Sequence, residues 1–101
     1  MRIIVTGRLA GKTTKLIKLS AEHDLYIVCQ SKHEAARIFE MAQKMEIHIN
    51  FPLTYQELIE RRYYGKGIKG FVIDNAEFLL QSLTEVPIEA ISMTGGAEDG
   101  R

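Results

Sequence analysis

Thr6-Gly7-Arg8-Leu9-Ala10-Gly11-Lys12-Thr13-Thr14 is the stretch on which the reading of this chain turns. Before it, Arg2–Thr6 is rich in β-branched residues and bounded by Gly7, which reads as a buried strand. After it, Lys12–Ala21 sets Leu16, Ile17 and Leu19 on roughly one face with Lys15 and Lys18 away from it, the pattern of an amphipathic helix. The stretch is therefore a glycine-containing turn from a strand into a helix. In such a turn the free N–H groups of the loop and helix start point inward and attract anionic oxygens. Gly11 has no Cβ to hold an anion off, Lys12 carries a mobile positive charge, and the Thr13 hydroxyl is a hard oxygen ligand suited to Mg²⁺.

Outward from this turn the chain alternates strand and helix. Asp24–Gln30 reads as a second buried strand. Ser31 with Glu34 forms a capping-box spacing that opens a helix running to about Lys44, with Ala35, Ile38, Phe39, Ala42 and Met45 recurring on its core face. In Glu46–Leu53, Ile47, Ile49 and Phe51 alternate with polar residues, predicting a short strand that Pro52 ends. Thr54 with Glu57 is a second capping box, opening a short helix over Tyr55–Arg62. A loop with three glycines, Tyr64–Gly70, leads to a strong strand at Phe71–Asp74. Ala76–Leu83 reads as helix, Pro87 breaks it, and Ile88–Thr94 reads as a last strand. The pattern predicts an α/β fold: a three-layer parallel sheet of four to five strands with flanking helices, in one domain over residues 1–94. The tail Gly95–Arg101 has little apolar content and reads as disordered.

Composition narrows the function classes. The chain has 101 residues, 13 lysines and arginines and 13 acidic residues, a formal net charge of zero. That balance argues against a protein whose main work is coating nucleic acid, while leaving room for a local basic patch. The lone Cys29 lies in an apolar run; it reads as a small buried hydrophobe and fits a reducing, cytoplasmic setting. The apolar N-terminal stretch is too short for a signal peptide or a membrane span, and no other segment approaches one. His23, His33 and His48 are not at metal-ligand spacing, Met41 and Met45 read as core filler, and no Ser-His-Asp or Cys-His arrangement is evident.

Gly7-Arg8-Leu9-Ala10-Gly11-Lys12-Thr13 resembles the Walker A loop of P-loop NTPases, in the RecA-like and helicase-like form with an Arg in the loop found in phage terminase ATPases. Thr6 stands where the first glycine of that pattern belongs, and Gly7 follows one place later. Phe71-Val72-Ile73-Asp74-Asn75-Ala76-Glu77 resembles the Walker B strand, and Ile91-Ser92-Met93-Thr94-Gly95 is similar to the Ser/Thr-containing strand end that follows it. Tyr26–Ser31 falls where helicase-like ATPases carry a strand beside bound nucleic acid. The order of the segments agrees over nearly the whole chain.

The resemblance implies ATP and Mg²⁺ as ligands. By it, Gly7, Gly11, Lys12, Thr13 and Thr14 hold phosphates, Thr13 and Asp74 hold the metal, Asp74 directly or through water, Ser92 or Thr94 senses the γ-phosphate, and Arg8 lies over the nucleotide or its phosphates. Asn75 stands where many relatives have the glutamate that orients the attacking water, and an amide cannot serve as that base; Glu77, two residues on, is the substitute candidate. The expectation is an ATP-binding accessory protein of phage type in DNA metabolism, with weak or partner-dependent hydrolysis. The alternatives are an active DNA-dependent ATPase and a relic of the fold used for protein or nucleic-acid binding. Arg61, Arg62, Lys66 and Lys69, interleaved with tyrosines, are candidates for contact with single-stranded or duplex DNA, although with a balanced net charge a solvated loop with two tyrosines packed on the sheet is the favoured reading. If the family's strand order holds, Ile3–Val5 lies at a sheet edge, which a second copy, a partner or the tail is expected to cover.

Overall fold

The computed structural model describes residue 3 and residues 11–94. Three strands form one parallel sheet: β1 (Tyr26–Cys29) in the centre, β2 (Leu53–Thr54) on one side and β3 (Phe71–Ile73) on the other. Val28 lies opposite Leu53 across the first pairing, and Ile27 opposite Val72 across the second. Helices α1 (Lys12–His23) and α2 (Lys32–Lys44) cover one face; the short α3 (Tyr55–Ile59) and α4 (Ala76–Gln81) belong to the other. The parallel, helix-flanked architecture agrees with expectation, but among the described residues the sheet has three strands and not four to five.

Alternation along β1 divides the core. Ile27 and Cys29 point to the α1/α2 face, where they meet Leu16, Ile17, Ala35 and Ile38. Val28 points the other way, into a cluster with Leu53 and Tyr55. Ile17, Ile27 and Ile38 are fully shielded from solvent, each contributing about 1.5–3 kcal/mol of burial.

Helix boundaries follow local chemistry. The Ser31 hydroxyl accepts the Glu34 N–H at 3.2 Å, but Glu34 turns its own carboxylate to Arg37, so only one half of that predicted box forms. At α3 both halves are present: the Thr54 hydroxyl accepts from Glu57 N–H, and the Glu57 carboxylate accepts from Thr54 N–H. Helices α1, α2 and α3 stop where Asp24, Glu46 and Arg61 turn left-handed, and the next N–H reaches back five residues to Ser20, Ala42 and Glu57. The turn at Arg61 ends α3 short of the predicted Arg62. Thr54→Ala is expected to cost about 1 kcal/mol, read as a lower urea midpoint at unchanged slope.

Two predicted strands need correction. Residues 47–52 form no ladder: the Asn50 amide donates to Asp24 and to the Leu25 carbonyl, and Pro52 lacks an N–H, so pairing begins only at Leu53. Ile88–Thr94 is not a strand either. Its start is held by side-chain bonds: Gln81 accepts from the Ile88 N–H at 2.8 Å and donates to the Thr84 and Val86 carbonyls. The predicted first strand, Arg2–Thr6, apart from Ile3, and the tail Gly95–Arg101 lie outside the described residues.

Candidate functional site

The C-terminal ends of parallel strands are where such sheets bind ligands. Here that end brings together residues from α1, β3 and α3. Gly11 caps α1 in the left-handed conformation, at φ 72°, which glycine adopts without strain. Among the described residues no side chain caps this helix start, and its first turn has no acidic residue. The first N–H groups and the positive dipole end of a helix favour an anion. Lys12, Thr13 and Thr14 follow, each half-buried.

Lys12 reaches across to the end of β3. Its ammonium lies 3.7 Å from Asp74 Oδ1 and hydrogen-bonds Asn75 Oδ1. Asp74 is buried, at 3% exposure, and among the described residues its Oδ1 has no hydrogen-bond partner. Burial pushes its carboxyl above the usual range, and the Lys12 ammonium opposes that rise. A buried carboxylate oxygen without a hydrogen-bond partner is the kind of hard donor that Mg²⁺ prefers, and Thr13 supplies a hydroxyl on the helix whose Lys12 reaches it, so these residue types fit the metal named by the resemblance.

Tyr55 was not singled out by sequence. It is 4% exposed, and its hydroxyl donates to the Asp74 carbonyl at 2.5 Å and the Asn75 carbonyl at 3.0 Å. It thereby anchors the turn in which Asn75 adopts a left-handed conformation at φ 56° and starts α4. A topological signal existed: Tyr55 follows β2 directly, at the same end of the sheet as the end of β3. Burial raises its phenol, which stays a donor throughout the working pH range.

The remaining candidates are placed elsewhere or fall outside the described residues. Glu77 sits in the first turn of α4, exposed, and lines a shallow cleft with Phe78, Ile88 and Ile91. Ser92 and Thr94 are exposed on the segment after Pro87, and the strand that was to present them is not formed. Gly7 and Arg8 lie outside the described residues.

Cys29 lies beside this end of the sheet, fully buried, with its thiol donating to the Ser31 carbonyl at 3.6 Å. Burial pushes it up to about 11. A thiol reagent at neutral to mildly alkaline pH is expected to label the folded chain at least about a hundredfold more slowly than the denatured chain, from thiolate fraction alone.

Compared with protein-family models, with curated proteins and with solved structures, the chain gives no significant match. No helix among the described residues is long and apolar enough to cross a membrane.

Proposed function

We propose that this chain binds a nucleoside triphosphate, ATP, together with Mg²⁺, and serves as an accessory module in DNA metabolism whose hydrolysis is slow or dependent on a partner. The observation that carries the reading is the approach of Lys12, at an uncapped helix start, to the buried Asp74 at the end of a parallel strand. One group supplies a positive charge for terminal phosphates; the other supplies an oxygen for the metal. Thr13 and Asp74 would hold Mg²⁺, which when bound neutralises phosphate charge. Lys12, Thr14 and the N–H groups after Gly11 orient the phosphates.

Slow hydrolysis follows from what surrounds them. Asn75 points its amide oxygen to Lys12, and Glu77 lies in another cleft. An amide at position 75 cannot serve as base for an attacking water.

Calorimetric titration of the full chain with ATP, ADP and a non-hydrolysable analogue, with and without Mg²⁺, tests the reading. Binding that Mg²⁺ strengthens supports it. No detectable heat with any nucleotide at millimolar concentration sinks it, and multiple-turnover release of phosphate at several per second by the chain alone sinks the slow-hydrolysis part.

A further inference from the structure

The balanced total charge conceals a one-sided segment. Residues 61–73 contain Arg61, Arg62, Lys66 and Lys69 and no acidic residue. Arg62 and Lys66 line a groove of about 420 Å³ beside β2, together with Tyr26, Phe51, Leu53 and Lys32. That is the size of a small-ligand site, with aromatic surface and cations on the same groove.

The aromatic groups are presented and not merely buried. Phe51 is 47% exposed, and Tyr64, between the two groove-lining cations in sequence, is 73% exposed. Tyr64 tilts onto Tyr63 at 5.7 Å, and Tyr63 packs edge-on against Phe71 of β3 at 5.1 Å, so the exposed ring stands on a packed support. Gly65 and Gly67 have positive φ, and a side chain added at either would meet only open space, which leaves the loop backbone open to close approach.

The acidic neighbours are already committed. Glu57, on the groove wall, accepts from Lys32 at 2.9 Å and caps α3; Glu60 pairs with Arg62. Among the described residues Arg61 and Lys66 have no ion-pair partner. Surface pairs of this kind are worth about 0–1 kcal/mol, so a phosphate displaces them cheaply.

We infer that this groove, with the loop on its wall that carries Tyr64, is an interface for single-stranded nucleic acid, with unpaired bases stacking on Phe51 in the groove and on Tyr64 in the loop, and backbone phosphates meeting Arg62 and Lys66. Exposed aromatic faces beside cations suit bases whose faces are free, which a duplex does not offer and an acidic peptide does not need. The inference goes beyond the nucleotide site: the groove shares no residue with Lys12, Asp74 or Asn75.

The test uses the full chain without ATP and a fluorescein-labelled oligothymidylate of roughly 15 nucleotides, followed by anisotropy between about 50 and 200 mM salt. Binding is expected, with log K falling by about 0.7 per log unit of salt for each phosphate engaged. The double change Arg62→Ala and Lys66→Ala is expected to flatten that slope by about 1.4. Tyr64→Ala, at a largely exposed position, is expected to weaken binding by on the order of tenfold with the slope unchanged. Excess Mg·ATP is expected to leave the oligonucleotide bound. Failure to bind at low salt, equal binding of a duplex or of polyglutamate, indifference to these changes, or displacement by ATP would each overturn the assignment. Because the first arm contains no ATP, its outcome is independent of whether ATP binds.

Discussion

Lys12→Ala is expected to weaken Mg·ATP binding by about a hundredfold or more, the worth of a charge-assisted contact to phosphate. The effect has two parts, because Lys12 also serves the unliganded fold. It is the one described cation in ion-pair reach of the buried Asp74 carboxylate. Removing it strands a negative charge that burial already penalises. The variant is therefore expected to be less stable as well, and its stability to depend differently on pH. Asp74 in the folded chain holds its proton to higher pH than in the unfolded chain. Above the ordinary carboxylate range the folded state thus binds more protons, so this contribution to stability is present at low pH and is lost as pH rises through the folded value. Without Lys12 the rise in Asp74 is larger, and the loss with increasing pH is steeper. Urea titrations of both chains across the acidic to neutral range, paired with calorimetry, separate the two parts. Unchanged ATP affinity in a folded Lys12→Ala chain would remove the central support of the nucleotide reading.

Tyr55→Phe tests the scaffold beneath that site. The change keeps the ring and deletes only the hydroxyl that donates to the Asp74 and Asn75 carbonyls. Two acceptors next to a buried carboxylate lose their shared donor, at an expected cost of about 1–3 kcal/mol in unfolding free energy. The larger interest is in binding. With the left-handed turn at Asn75 less restrained, the Asp74 carboxylate is held less firmly, and affinity for Mg·ATP is expected to fall by roughly tenfold while affinity for metal-free ATP changes little. A purely structural role predicts equal losses with and without Mg²⁺, so the ratio of the two affinities decides. A Tyr55→Phe chain with wild-type stability and affinity would show that other contacts hold the turn.

What sequence revealed here was local chemistry; what it concealed was partnership. Ser31 and Thr54 are caps because their hydroxyls bond N–H groups three residues away, and such short-range bonds are visible in spacing alone. The approach of Lys12 to Asp74 was implied by resemblance, since 62 positions separate them and no periodicity connects them. Residues 46–53 misled because alternation describes which side chains are apolar, not whether a neighbouring strand is there; the Asn50 side chain instead bonds the Asp24 carboxylate and the Leu25 carbonyl. Ile88–Thr94 misled for the same reason, its apolar residues remaining exposed and its start tied to Gln81. Tyr55 looked like an ordinary first-turn residue, and only the parallel arrangement of β2 and β3 gives its hydroxyl a reason to be buried.

The left-handed backbone at Asn75 bears on how this chain could change over evolutionary time. Asparagine tolerates that conformation better than most residues, and a glutamate there faces a penalty on the order of 1 kcal/mol. A single codon change at position 75 therefore sets a carboxylate on a backbone that resists it and severs the amide contact to Lys12. Placing a carboxylate at this position demands concerted remodelling of the turn, its tyrosine brace and the start of α4.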